Sequence, residues 1–259
     1  MNYDIFIPVR LKNSRFPDKA LKICNGKPII QYLIERLQTC KKIRKTIVCT
    51  TNQKSDDLLV EFLKKHGINF FRGDDKDILE RFLDAARKYD TEFIVNVDGD
   101  DIYTDPKYVD YMIVEYEKTN VDVIDMVGFP FGLRSIGFKK KILKKICSLK
   151  KTNTTDTHYR AFITELNLFK VHKILFESRI DYSKKIRLTL DYPQDLELAK
   201  KIFNKLGNNF HIQDLLKLFK DEPSLLDITA NLDLKWKEHY NNTNTDFSIK
   251  SVNFGGVSV

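Results

Sequence analysis

Short apolar runs alternate with longer stretches of helical period through the first hundred residues. Ile5-Phe6-Ile7-Pro8-Val9 predicts a buried strand, and Pro28 opens a predicted helix with Ile29, Ile30, Leu33, Ile34 and Leu37 on one face. Thr46–Thr50 predicts a second strand, and Leu58–Lys65 a helix with Asp56 and Asp57 near its positive end. Phe70-Phe71 reads as a short strand ending at Arg72-Gly73, Asp77–Tyr89 as a helix, and Phe93–Val97 as a fourth strand. Repeated strand–helix–strand units of this length predict an α/β fold, a mainly parallel sheet covered by helices on both faces. Such sheets bind ligands at the carboxyl ends of their strands.

From about residue 121 the pattern loosens. Val121–Val127 predicts another strand, and 139–151 a helix carrying seven lysines. Its Ile142, Leu143 and Ile146 form a core face, so the lysines read as a solvated cationic face, with anion binding as the sharper alternative. Ile186–Leu190 alternates as a strand would, and 193–205 and 211–220 are again helical. The Asn/Thr/Ser-rich stretch from Asn241 predicts a loosely held tail behind a single domain over 1–240.

Composition narrows the class of protein. With 259 residues, 42% of them hydrophobic, the chain can bury a real core, which excludes disorder throughout. Forty-four basic against thirty-six acidic residues give a net charge of +8. That excess is spread along the chain, so it gives no footprint for nucleic acid. The four cysteines at 24, 40, 49 and 147 show no CxxC spacing and no nearby His pair, which argues against structural zinc. No stretch approaches the ~18 apolar residues of a membrane span. Met1 runs directly into Asn2-Tyr3-Asp4 without a leader pattern. The expectation is a cytoplasmic protein with reduced thiols and no membrane partner.

Two clusters at predicted strand ends carry the chemistry. After the first strand come Arg10, Lys12, Ser14, Arg15 and Lys19, cations and a hydroxyl suited to a polyphosphate. Neither GxxxxGK[ST] nor GxGxxG is present, which removes the main support for an ATPase or dinucleotide site. After the fourth strand stands Asp98-Gly99-Asp100-Asp101, whose crowded carboxylates need a compensating cation; oxygen ligands suit Mg²⁺ completed by water and phosphates. A late Asp191, between a predicted strand and helix, reads on its own as a helix cap.

Taken in order, the motifs are more specific. Ile7-Pro8-Val9-Arg10, Ser14-Arg15-Phe16-Pro17-Asp18-Lys19 and Asn25-Gly26-Lys27-Pro28-Ile29-Ile30 resemble the opening of cytidylyltransferases. The resemblance is to the spore-coat polysaccharide branch, with Kdo and acylneuraminate cytidylyltransferases as relatives. Arg72-Gly73 with Asp77-Ile78-Leu79-Glu80-Arg81-Phe82 resembles that branch's segment after strand three. Asn96-Val97-Asp98-Gly99-Asp100 resembles its metal strand, and Leu188-Thr189-Leu190-Asp191-Tyr192-Pro193-Gln194-Asp195-Leu196 its closing motif.

The resemblance spans roughly 3 to 220. It implies a Rossmann-like nucleotide-diphospho-sugar transferase fold and transfer of CMP from CTP to the hydroxyl of a sugar acid, releasing pyrophosphate. It implies Mg²⁺ on Asp100 and Asp191, and a nucleotide held by Pro8, Val9, Arg10, Ser14, Arg15 and Lys19. Within that set Arg10, Arg15 and Lys19 would take the catalytic roles, with Arg72, Gly73, Asp77 and Arg81 near base and ribose. Asp98 would be a further ligand in or beside the metal shell, and Arg134, His158 and Arg160 would face the acceptor. A homodimer is implied as well, with 125–180 as the segment that carries acceptor or dimer contacts. The chain departs from the Kdo enzymes in having Asp101-Ile102 where they carry Glu-Pro, and in lacking a Tyr-Gly-Tyr-Arg segment.

Two other classes stay open at this level. A metal-dependent glycosyltransferase would also use Asp98-Gly99-Asp100, although Arg10, Arg15 and Lys19 suit a triphosphate with a departing pyrophosphate better. A non-catalytic basic binding module would need lysines interleaved with exposed aromatics.

Overall fold

The computed structural model describes residues 1–156, 159–176, 186–241, 248–249, 253–254 and 257–258. Strand β1 (Tyr3–Pro8) is apolar on both faces and therefore central. A small hairpin, β2 (Ile23–Cys24) and β3 (Lys27–Pro28), precedes α1 (Ile29–Leu37). There follow β4 (Lys45–Thr51), α2 (Asp57–Lys65), β5 (Asn69–Gly73), α3 (Ile78–Lys88), β6 (Phe93–Asn96) and α4 (Pro106–Thr119). The second half holds β7 (Val123–Val127), β8 (Ile136–Lys139), α5 (Lys140–Leu149), α6 (Tyr159–Thr164) and β9 (Val171–Leu175). Helices α7 (Pro193–Leu206), α8 (Ile212–Asp221) and α9 (Leu232–Asn241) come next, then a two-stranded hairpin, β10 (Asn253–Phe254) and β11 (Val257–Ser258).

Seven strands form one sheet in the order β5-β4-β1-β6-β8-β7-β9. All neighbours are parallel except β8, which runs antiparallel to both β6 and β7. Alternation along each strand divides the core into two layers. Ile5, Ile7, Val48 and Val95 face α1, α2, α4, α7 and α8, whereas Phe6, Ile47, Cys49 and Ile94 face α3, α5 and α6. The expected α/β architecture with helices on both faces is the one observed. No helix among the described residues is long and apolar enough to cross a membrane.

Three features differ from the sequence expectation. Ile136–Lys139 and Val171–Leu175 form strands that hydrophobic pattern did not mark. Gly137 interrupts the first, and it is there because the strand passes close to its neighbours: a Cβ would fall 2.6 Å from Met112 Sδ. The second is an edge strand that carries His172 and Lys173 on opposite faces, which breaks any apolar alternation. Conversely, Ile186–Leu190 does not enter the sheet. Arg187 makes an isolated bridge with Phe131, Leu188 N–H donates to Phe131 O at 2.7 Å, and Leu190 N–H to Asp100 O at 3.0 Å. That last bond sets Asp191 beside the end of β6. Of the expected loose tail, Ser248 accepts from Lys151 N–H at 3.2 Å, and Ile249 packs on the α3–α5 core layer.

The loop after β1 is fixed by Asp56, which is wholly buried. Its Oδ1 accepts from Leu11 N–H at 2.8 Å, and its Oδ2 accepts from Thr50 Oγ1 at 3.0 Å, from Thr51 N–H at 3.2 Å and from Thr51 Oγ1. Asp56→Ala would leave these donors buried and unpaired. It should lower stability by about 3 kcal/mol, measured by urea melts.

Candidate active site

The carboxyl ends of β1 and β6 and the N-terminal end of α3 enclose a cavity of about 650 Å³. Pro8 and Val9 form its floor, and the loop carrying Arg10, Ser14, Arg15 and Lys19 forms one wall. That loop is shaped locally. Asn13 Oδ1 accepts from Arg15 N–H at 2.9 Å and Phe16 N–H at 3.1 Å, while buried Leu11 and Phe16 anchor it below. The acidic turn after β6 presses against the same floor, and Gly99 makes this possible. A Cβ there would lie 2.5 Å from Val9 Cγ2 and 2.9 Å from Pro8 O.

At the centre, Lys19 Nζ sits 2.7 Å from Asp100 Oδ2 and 3.1 Å from Asp191 Oδ1. Arg15 adds a contact of 2.6 Å to Asp191 Oδ1, and Arg187 one of 3.0 Å to its Oδ2. Burial alone would push the Asp191 carboxyl up, but Lys19, Arg15 and Arg187 together hold it below its usual value. Asp100 has only Lys19 to offset burial and the nearby Asp191 and Asp98, so its carboxyl is raised. Burial disfavours the Lys19 ammonium, yet the two carboxylates overcome it and raise the lysine. Asp98 accepts from Tyr159 OH and, at 3.2 Å, from Arg160.

The other end of the cavity pairs cations with a carboxylate to which sequence reading assigned no role. Asp156 binds Arg10 and lies 3.9 Å from the buried Arg81, which also donates to Asp74 O at 2.7 Å. Asp156 and Tyr159 belong to the stretch Asp156-Thr157-His158-Tyr159-Arg160, which resembles a segment of the spore-coat branch, and they join the cavity wall with Trp236, which no motif marks.

Of the residues expected near the nucleotide, Pro8, Val9, Arg10, Ser14, Arg15, Lys19, Arg81 and Asp98 line the cavity. Arg72, Gly73 and Asp77 do not. The Arg72 guanidinium turns away to Thr51 O at 2.9 Å, Gln53 O at 2.8 Å and Asp57 at 2.7 Å. Gly73 is packed under Arg81, whose Cγ would be 2.8 Å from an added Cβ. Asp77 caps α3 by accepting from Glu80 N–H and is ion-paired with buried Lys150. Among the expected acceptor contacts, Arg134 pairs with Asp125 at 2.8 Å, away from the cavity lining. Arg160 reaches the site through Asp98, and His158 lies outside the described residues.

A mainly parallel sheet with a cationic loop and a cluster of carboxylates at its strand ends defines a nucleotidyltransferase of the nucleotide-diphospho-sugar transferase fold. The sequence profile of the cytidylyltransferase family matches residues 5–222, and the chain belongs to that family. Uncharacterized protein MJ1063 of Methanocaldococcus jannaschii is 31% identical over 232 residues, 87% of this chain and 93% of that one. Spore coat polysaccharide biosynthesis protein SpsF of Bacillus subtilis is 23% identical over 235 residues, 86% and 96% of the two chains. A solved cytidylyltransferase from Leptospira borgpetersenii superposes with a TM-score of 0.79 at 28% identity, covering 87% of this chain and 97% of that one. Family membership sets aside the glycosyltransferase and binding-module readings.

Because the Asp191 carboxyl is held below its usual value, it contributes stability above the unfolded carboxylate range of ~4. That contribution is lost as pH falls through the lower folded value. Asp191→Asn should therefore cost about 3 kcal/mol near pH 7, where it strands three cations around a neutral amide. The gap to wild type should close progressively below about pH 4 in urea melts across that range.

Proposed function

We propose that the protein transfers CMP from CTP to a hydroxyl of an acidic sugar, releasing pyrophosphate, with Mg²⁺ as cofactor, for surface polysaccharide synthesis. The observation that carries this reading is the Lys19–Asp100–Asp191 cluster beside a cationic loop. Two carboxylates from remote segments converge on one cation at the edge of a cavity large enough for a nucleotide.

This donor set fits the metal. Among the described residues no group of three or more His, Cys, Asp or Glu forms a closed cage. Asp100 lines the cavity and Asp191 lies behind it, its oxygens on Lys19, Arg15 and Arg187; two carboxylates completed by water and substrate phosphates match the way Mg²⁺ is usually held. Asp100 and Asp191 would hold the ion, with Asp98 next to them. When bound, Mg²⁺ supplies charge neutralisation at the phosphate oxygens.

The chain's own groups do the remainder. Arg10, Ser14, Arg15 and Lys19 bind the triphosphate, and Arg15 and Lys19 offset the charge that builds on the leaving pyrophosphate. The acceptor oxygen forms a bond to the α-phosphorus as the bond to the bridging oxygen breaks, and the hydroxyl proton passes to solvent. Positioning and fixed charges account for the acceleration, as in other phosphoryl-group transfers. Pro8 and Val9, at the floor between β1 and the acidic turn, border the nucleotide. The sugar-acid acceptor is supported by the resemblance to Kdo and acylneuraminate enzymes, and the polysaccharide setting by the spore-coat relative.

Pyrophosphate release should require CTP among the four nucleoside triphosphates, Mg²⁺, and one member of a panel of sugar acids and sugar phosphates. Asp100→Asn should reduce that rate by about 10³-fold or more while leaving the melting transition in place. Release retained in this variant would overturn the metal assignment. Failure to bind any triphosphate would overturn the reading as a whole.

A further inference from the structure

The family match ends at residue 222, and α9 (Leu232–Asn241) lies beyond it. This helix is nonetheless tied into the site. Leu232 is buried at its start, and Asp233 reaches the Arg187 guanidinium at 3.5 Å. The same guanidinium holds Asp191 and Asp195. About one turn further along, Trp236 forms part of the cavity wall. Its ring packs edge-on against Phe131, with centroids 4.8 Å apart and planes at 64°. Phe131 in turn lies 5.5 Å from the Arg187 guanidinium carbon.

These contacts place the indole on the Asp191 side of the cavity. The opposite side, with Ile78 and Arg81, belongs to the β5–α3 unit, and β1 separates it from Asp100 at the end of β6. A nucleotide whose triphosphate follows the β1 loop therefore has its base away from Trp236. What comes up to the indole is the group that meets the α-phosphorus from the carboxylate side. A flat aromatic face with a negative quadrupole attracts C–H groups and removes apolar area from water. A pyranose offers such a C–H face, whereas its hydroxyls point to the rim, where charged side chains can bind them.

We infer that Trp236 is a specificity residue on the acceptor side, a platform on which the C–H face of a pyranose-form sugar stacks next to Asp191. The inference rests on the transferase reading and adds what that reading leaves open, the ring form of the acceptor. It also gives α9 a role: Asp233 and Arg187 link the position of the platform to that of Asp191.

Trp236 is the single tryptophan, so its emission reports on this wall alone. The experiment titrates wild-type enzyme with Kdo and with N-acetylneuraminate, each alone and with CTP and Mg²⁺, and separately with CTP and Mg²⁺ only. At least one sugar acid should shift the emission, and CTP with Mg²⁺ alone should leave it nearly unchanged. With the acid that turns over, Trp236→Ala should raise its KM about tenfold, leave the KM for CTP within about twofold, and be largely rescued by Trp236→Phe.

A full emission shift with CTP alone would mean that the indole stacks on the base, and would overturn the inference. So would an unchanged acceptor KM in Trp236→Ala, or no shift with either acid. The two readings fail separately. Turnover without an emission shift sinks the platform and keeps the transferase. An emission shift by a sugar acid in a protein that turns over no CTP does the reverse.

Discussion

Lys19 holds together two carboxylates that are 81 and 172 residues away from it in the chain, Asp100 and Asp191. Bringing carboxylates this close without cations would cost several kcal/mol in a buried setting, so the folded arrangement depends on charge balance. Lys19 and Arg15 come from the β1 loop, Arg187 from the extended run before α7, and Arg160 from α6. Each offsets a carboxylate brought from elsewhere. A polyphosphate with its cation is still net negative, and Lys19 and Arg15 are the cations that can turn from these carboxylates to offset it. The same cluster thus closes the fold at this point and prepares it for an anionic ligand.

The sheet supplies the rigidity that this cluster requires. Asp56 pins the β1 loop to the end of β4, and Gly99 lets the acidic turn lie against Pro8 and Val9. On the other side of the cavity, Asp77 caps α3 and pairs with Lys150, while Thr155 Oγ1 donates to Asp77 Oδ1 at 2.8 Å. That arrangement sets the neighbouring Asp156 against Arg10 and Arg81. Residues with no direct place on the cavity wall therefore decide where its charged groups stand. Arg36 plays a comparable part behind the site, donating to the carbonyls of Asn208 at 2.6 Å and Phe210 at 2.9 Å, so that α1 and the α7–α8 connection move as one. Burial lowers that arginine to about 10, still charged at neutral pH.

Much of the site was legible in the sequence because it is built at strand ends. Local periodicity located β1 and β6, and the polar residues directly after them, Arg10 to Lys19 and Asp98 to Asp100, then had one region to occupy. Arg72, Gly73 and Asp77 sit at a strand end too, but sequence position could not tell which way a side chain turns. Arg72 is drawn to two carbonyls and Asp57, and Asp77 to a helix terminus and Lys150. The two strands that pattern did not mark are a glycine-containing run of four residues and a polar edge strand, cases in which packing on neighbours outweighs intrinsic preference.

By itself the sequence determined the elements of the first half, the α/β class, and the chemical character of the phosphate and carboxylate clusters. All of these follow from residues near one another along the chain. Only the tertiary structure decided which distant groups meet at the site. Asp191 reaches Asp100 because Leu190 hydrogen-bonds to the backbone there, Asp156 meets Arg10 across a fold of more than a hundred residues, and Trp236 arrives on a helix beyond the family match. Such meetings depend on hydrogen bonds and packing between segments, whose geometry no local pattern encodes.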